Sequence, residues 1–249
     1  MIIIKTEQEI DLMRQAGKIV AETLLLVEKK VKPGVTTAEL DRIAEEFITK
    51  HGAKPSFKGL YGFPASLCIS VNEQVVHGIP GGYVLKEGDI ISVDCGACLN
   101  GFHGDAARTF AVGEISEEAR KLITVTEESF FKGVEAARVG NRLSDISHNI
   151  QKHVEANGFS VVRDFVGHGI GKTVHEDPEV PNFGRPGRGP KLVAGMALAI
   201  EPMVNVGTYR VATLGDDWTV VSADKSLSAH YENTVVILPD GPEILTLIK

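Results

Sequence analysis

Val76-His77-Gly78-Ile79-Pro80 followed by Gly88 to Asp94, and Val174-His175-Glu176-Asp177-Pro178 followed by Gly195 to Glu201, are two copies of one pattern. In each, a V-H-x-x-P segment leads to a glycine and a short β-like apolar run, and each run ends on a carboxylate. Upstream, the helix-like stretch Gly34 to Gly52 matches Gly140 to Gly158 at a constant offset of 106 residues, with Leu40 over Ile146 and Ile48 over Val154. Gly88 and Gly195 differ by 107. A long period that occurs only twice is not a solenoid array, which needs several short repeats. It reads as a duplicated α+β half, about 1–113 and 114–249, forming one domain with a site between the halves.

Local signals agree with that division. Thr6-Glu7-Gln8-Glu9 is a capping-box pattern, and Ile10, Met13, Gly17, Val20, Leu24 and Val27 then recur at helical spacing. Thr36 with Glu39 starts a second helix running toward Gly52. Short strands are expected at Cys68-Ile69-Ser70-Val71, Val75-Val76 and Ile90-Ile91-Ser92-Val93, and Asn100-Gly101 is a hairpin signal before Thr109-Phe110-Ala111-Val112. The order restarts at Ser116, a candidate N-cap, with helices to about Arg138 and from about Leu143 to Asn157, and then strands. No Pro/Gly-rich or charged linker separates the halves.

The 249 residues are 43% hydrophobic and 24% charged, proportions of an ordinary folded chain with a substantial core. A net charge of −7 argues against broad phosphate-backbone binding. Met1-Ile2-Ile3-Ile4 is too short for a signal h-region, and no uncharged stretch approaches membrane-spanning length, so a cytoplasmic location and no membrane contact are expected. Three cysteines do not form a disulfide framework. Cys95-Gly96-Ala97-Cys98 spells C-x-x-C, but it ends a predicted strand and has no second copy, so we read it as small buried residues.

The chemistry lies in the acids. Asp94 and Asp105 are eleven residues apart around Asn100-Gly101, and a hairpin loop centred between residues 99 and 100 would set them directly opposite. A strict two-residue turn would instead pair Asp94 with Ala107, so the facing arrangement requires a longer loop or a bulge. Facing carboxylates repel unless a cation lies between them, which suggests a metal. In the second half Glu201 ends Ala197-Leu198-Ala199-Ile200 and Glu232 begins Asn233-Thr234-Val235-Val236-Ile237, and Gly167-His168-Gly169-Ile170-Gly171 supplies an imidazole. Four carboxylates and one imidazole suit two divalent ions such as Mn²⁺, Fe²⁺ or Co²⁺ better than thiolate zinc. Two ions about 3.5 to 4 Å apart can hold and activate a bridging water, which is hydrolytic chemistry.

Ser92-Val93-Asp94-Cys95-Gly96, His103-Gly104-Asp105-Ala106-Ala107-Arg108-Thr109-Phe110, the Gly167–Gly171 and His175–Pro178 segments, Ala199-Ile200-Glu201-Pro202 and His230-Tyr231-Glu232-Asn233-Thr234 carry a resemblance. Together, over nearly the whole chain, they resemble the bacterial type I methionine aminopeptidases of the M24 metallopeptidase family. That resemblance implies the pita-bread fold. It implies two divalent ions (Co, Mn, Fe or Zn) on Asp94, Asp105, His168, Glu201 and Glu232, with Asp105 and Glu232 bridging. Glu201 would also move the proton of the attacking water, and His77 and His175 would contact substrate near the scissile amide. The methionine pocket maps onto Phe57, Leu60, Phe63, Cys68 and Trp218, with His77 at its edge. Some relatives have Cys and Tyr at the positions of Phe57 and Leu60, so the pocket is where this chain departs from the pattern. A monovalent cation is implied on backbone groups of Asn72, Gln74 and Ser228.

The implied activity is removal of the initiator methionine from nascent polypeptides with a small second residue, by a monomer in transient contact with the ribosome. Two rivals share the scaffold: an X-Pro dipeptidase, and a non-catalytic module binding protein or RNA. The chain lacks the long N-terminal domain expected of the first, and the non-catalytic reading expects lost ligands, of which there are none. Nor is there room between His175 and Glu201 for the insertion of type II enzymes, or an N-terminal zinc-binding extension like that of eukaryotic type I enzymes.

Overall fold

The computed structural model describes residues 1–248. Four helices, α1 (Glu7–Glu28), α2 (Thr37–Lys50), α3 (Glu117–Glu135) and α4 (Leu143–Ala156), pack on antiparallel sheets in a mixed α+β architecture. The start of α1 is set as its sequence predicts. The Glu9 N–H donates to the Thr6 hydroxyl at 3.3 Å and the Thr6 N–H donates to the Glu9 carboxylate at 3.0 Å, so two otherwise orphaned donors are satisfied reciprocally. Ile10, Met13, Gly17, Val20, Leu24 and Val27 are all buried on one face. α3 stops at Glu135 rather than near Arg138, because the Ala136 and Ala137 N–H groups tighten onto the carbonyls three residues back and close the last turn.

One core is built from residues 19–112, and a second almost entirely from residues 115–244 with Ile2 and Ile90 added. Equivalent backbone features recur in the two parts. Gly34 and Gly140 have φ of 92° and 94°, and Gly88 and Gly195 have 90° and 89°. The Gly34 N–H donates to Leu85 and the Gly140 N–H to Leu192, at 2.8 and 3.0 Å. Isolated bridges join Thr36 to Val84 and Arg142 to Lys191. The echo ends at the histidines: His77 lies in the left-handed region with φ 59°, whereas His175 does not.

The hairpin in the first half is longer and more regular than expected. Strands Ile90–Leu99 and Phe102–Ala111 pair over ten residues each, with Leu99 opposite Phe102. Asn100 and Gly101, with φ of 52° and 81°, form a two-residue turn whose twist matches the strands. That turn sets the register, and it overturns the expectation that Asp94 faces Asp105. Asp94 pairs with Ala107, and Asp105 pairs with Gly96. The two carboxylates are therefore diagonal neighbours on one face of the sheet, with no side chain from Gly96 between them.

α1 lies against the Phe102–Ala111 strand. At the crossing, a Cβ on Gly104 would come within 2.8 Å of the Gly17 backbone, and a Cβ on Gly17 within 2.5 Å of the Leu245 carbonyl. This backbone-to-backbone contact holds the strand that carries Asp105. In the second half a five-stranded sheet places Gly167–Gly169 beside Ala197–Ile200, and the latter beside Asn233–Leu238. Among the described residues no helix is long and apolar enough to cross a membrane.

Candidate metal centre

The two sheets meet through the backbone. Ala107 and Glu232 exchange N–H···O bonds of 3.3 and 3.0 Å, and Thr234 Oγ1 bridges the Asp105 N–H and carbonyl at 2.9 Å each. Thr109 does the same for His230, accepting from its N–H and donating to its carbonyl at 2.9 Å each. The Arg108 guanidinium donates to the carbonyls of Glu232 and Ala107 at 2.6 and 2.8 Å and to Asn233 at 2.7 Å. Asp105 and Glu232 are thereby brought together although 127 residues separate them. On the other side His168 pairs with Ala199 and Asn233 with Ile200, so the register carried one step further sets Glu232 across from Glu201. Asp94 completes the group from the hairpin and lies opposite Cys68.

All five residues predicted as metal ligands therefore converge on one place. His168 Nε2 lies 3.6 Å from Glu201 and 3.9 Å from Asp105. Its Nδ1 is 2.9 Å from the Gly169 carbonyl, which can only accept, so Nδ1 carries the proton and Nε2 presents its lone pair to the acids. Asp105 and Glu232 are buried. Burial lifts both carboxyls well above the ordinary range, and each is lifted further by the other acids of the group. Burial pushes Glu201 up to about 8 and, partly offset by His230, Asp94 up to about 7. Desolvation holds His168 down at about 4 and lowers His175.

Such an arrangement is costly without a cation. Asp94 Oδ1, Asp105 Oδ1 and Glu232 Oε1 are buried with no hydrogen-bond partner, and His230 Nε2 is orphaned beside them. Ligand atoms of Asp105, His168 and Glu232, and of Glu201, His230 and Glu232, lie within 4.8 Å of one another. The donor set fits a hard or borderline divalent ion.

His230 is a residue that sequence reasoning passed over. Its Nε2 stands 3.5 Å from Glu201 and 3.9 Å from Glu232. It ends the Ser228–His230 strand, two residues before Glu232, and a lone histidine there carries no period that would mark it. Tyr61 was also missed. It is 76% exposed, has φ 51°, and stacks on His175 with ring centroids 5.9 Å apart, and no periodicity could mark it.

The acids floor a cleft of about 700 Å³. His77 and His175 both line it, His175 with its ring 4.5 Å from His168 and His77 edge-on to Phe165 at 5.5 Å. A left-handed backbone at a non-glycine residue such as His77 stores strain of the kind that clusters at functional sites. Phe57, Phe63 and Cys68 form one buried cluster with partly buried Leu60 and Trp218 packed against it, and Phe63 meets Trp218 edge-on at 5.1 Å. All five face the cleft. Ser228 donates its N–H to the Asn72 carbonyl at 2.9 Å, while Gln74 uses its side chain to accept from Val71. Cys95 and Cys98 are free thiols three residues apart on a strand, so they point to opposite faces and form no pair.

A buried carboxylate–imidazole cluster between two α+β halves, opening into an apolar cleft, defines a pita-bread metallohydrolase. The sequence profile of metallopeptidase family M24 matches residues 11–239, and the chain belongs to that family. Methionine aminopeptidase of Clostridium perfringens is 79% identical over 249 residues, covering all of both chains, and methionine aminopeptidase 1 of Bacillus subtilis is 57% identical over 248, again covering both. The crystal structure of methionine aminopeptidase from Thermotoga maritima superposes with a TM-score of 0.98 at 49% identity, with full coverage of each chain.

Proposed function

We propose that this protein is a metal-dependent aminopeptidase that removes the initiator methionine from newly made proteins, preferring a small second residue. The observation that carries the reading is the union of the buried acid cluster with an apolar pocket of the right chemistry for a thioether. The methionine aminopeptidases named above agree with it over the full chain.

Asp94, Asp105, His168, Glu201 and Glu232 would hold two divalent ions, with Asp105 and Glu232 shared between them. When bound, these ions supply Lewis-acid polarisation of the scissile carbonyl and lower the pKa of water. Glu201, which lines the cleft among the acids, would take the proton of the attacking water and deliver it to the leaving amine. His175 is neutral, since burial lowers its pKa, and offers an N–H to the developing oxyanion from the rim of the acid cluster. The methionine side chain enters between Phe57, Leu60, Phe63, Cys68 and Trp218, and His77 closes the edge. Asp94 faces the free α-amine, which restricts cleavage to chain termini.

We read the chain as one catalytic domain of two half-repeats, about 1–113 and 114–249, acting as a cytoplasmic monomer on nascent polypeptides in transient contact with the ribosome. The metal would be Co, Mn, Fe or Zn. A monovalent cation on the backbone of Asn72, Gln74 and Ser228 would tie the two halves beside the site.

The test is hydrolysis of Met-Ala-Ser against its N-formylated form, using chelator-stripped protein with Mn²⁺, Fe²⁺ or Co²⁺ restored singly. Metal-dependent release of methionine from the free-amine peptide alone is expected. Release from X-Pro substrates with indifference to methionine would overturn the reading.

A further inference from the structure

Lys5 is the one lysine buried among the described residues, and it sits outside the metal centre. Its Nζ lies 2.6 Å from Glu176 Oε2, 171 residues away, with the two side chains 2% and 6% exposed. The backbone around it is anchored. The Lys5 N–H donates to the Gly195 carbonyl at 2.8 Å, and Nζ also donates to the Ile3 carbonyl at 3.1 Å.

The other end of the pair organises a loop. Glu176 Oε1 accepts from the Lys172 and Thr173 N–H groups at 2.9 and 3.4 Å, folding residues 171–176 around the carboxylate. Thr173 Oγ1 donates to the His175 carbonyl at 3.0 Å, and the Gly171 N–H donates to the Thr173 carbonyl at 3.1 Å. The fit is close: a Cβ on Gly171 would fall 2.3 Å from Lys5 Cε. The residue next to Glu176 is His175, with its ring against His168 and Tyr61.

A buried ion pair adds little net stability, since desolvation offsets most of the attraction, and its best-attested use is to specify one conformation. Here the segment specified carries His175. We infer that Lys5 is a positioning residue for His175: the Lys5–Glu176 pair holds the 171–176 loop so that His175 stands at the scissile carbonyl. The inference rests on the aminopeptidase reading and on the role given there to His175. Lys5 itself does not line the cleft, whereas its partner Glu176 does, beside His175, so its effect passes through that carboxylate and the loop.

The test compares metal-loaded wild type, Lys5→Met, Lys5→Arg, His175→Ala and the double variant Lys5→Met/His175→Ala on Met-Ala-Ser. Lys5→Met is expected to lower kcat by about tenfold to a hundredfold, the scale of a small misplacement of a reacting group, with KM and bound metal unchanged. Lys5→Arg should recover much of the loss. In the His175→Ala background Lys5→Met should cause no further fall. On metal-free protein, the Lys172 and Thr173 amides should exchange faster in Lys5→Met than in wild type.

An equal fall in the His175→Ala background, lost metal, or undiminished kcat in folded Lys5→Met would overturn the inference. Where Lys5→Met does not fold, Lys5→Met/Glu176→Gln removes both charges. It should fold with low kcat, and full kcat from it would equally overturn the inference. An inactive wild type with every metal would instead sink the aminopeptidase reading.

Discussion

Ala107 and Glu232 exchange both backbone hydrogen bonds, at 3.3 and 3.0 Å, and so join the hairpin of the first half to the strand that begins the last ladder of the second. Asp105 lies two residues before Ala107, on the same face of its strand. The pairing therefore delivers one carboxylate from each half to a common point. The first half presents Asp94 and Asp105 from the middle of its hairpin and the second presents Glu201 and Glu232 beside strand ends, so neither half alone carries the whole set.

Metal removal should make stability depend on pH in a particular window. Asp94 and Glu201 have folded values near 7 and 8 against ordinary values of 3.8 and 4.5. The folded chain thus keeps protons that the unfolded chain has released, and this contribution is full below about pH 4 and lost as pH rises through the folded values. The buried histidines His77, His168 and His230, held near 4, act in the opposite sense, losing stability as pH falls below 6.5. Between pH 6.5 and 8.5 the acids dominate. Chelated protein should lose on the order of 2 kcal/mol across that window. Thermal melts would show the loss, and the metal-loaded protein should not share it.

Asp105→Asn should abolish tight binding of at least one ion and lower kcat by on the order of a thousandfold, because it replaces a shared carboxylate by a neutral donor. Metal content after gel filtration, measured beside activity, checks this. Full occupancy with full activity would remove Asp105 from the ligand set.

His230→Ala is expected to weaken metal binding by about tenfold to a hundredfold, as loss of a group that orients ligands does. The imidazole stands 3.5 Å from Glu201 and 3.9 Å from Glu232, and its removal leaves both acids less constrained. Calorimetric titration of the stripped protein with Mn²⁺ reads the change directly. An unaltered isotherm would reduce His230 to a packing residue.

His175→Ala should lower kcat by about 10²- to 10³-fold, the cost of one oxyanion donor, with a smaller rise in KM. Steady-state kinetics on Met-Ala-Ser separate the two. The reverse pattern would assign His175 to ground-state binding.

Gly96→Ala should raise KM for methionyl peptides. A Cβ there falls 2.8 Å from Phe57 Cε1 and from Ser56 Cβ, so the ring is driven toward the pocket. Binding of the competitive product methionine to metal-loaded protein would weaken in parallel, while the metal content stays constant.

Much of this was legible in the chain. The capping box at Thr6, the helical stripe from Ile10 to Val27 and the Asn100-Gly101 turn are local signals, and local physics obeyed them. The five ligand positions were legible through the motifs around them, from Ser92-Val93-Asp94 to Tyr231-Glu232-Asn233, which resemble those of the methionine aminopeptidases. His230 and Tyr61 were not, since a lone histidine in an apolar strand and a lone tyrosine in a loop carry no period. Lys5 gave no sign of burial, because lysine is ordinarily exposed and its partner lies 171 residues away.

The hairpin shows where such reading ends. Sequence offered two registers for Asp94 and Asp105, and a cation shared between the acids pointed to the facing one, yet the left-handed pair Asn100 and Gly101 imposed the other. Turn geometry acts on the backbone directly, and the diagonal offset it imposes also lessens the repulsion between the two carboxylates. The residues thus specified helices, strands, the duplication and the donor chemistry, all of which depend on neighbours a few positions apart. The meeting of Asp105 with Glu232, the lining of the cleft from both halves and the pairing of Lys5 with Glu176 depend on contacts across more than a hundred residues. Those contacts exist only once both cores have formed and the sheets have joined at Ala107.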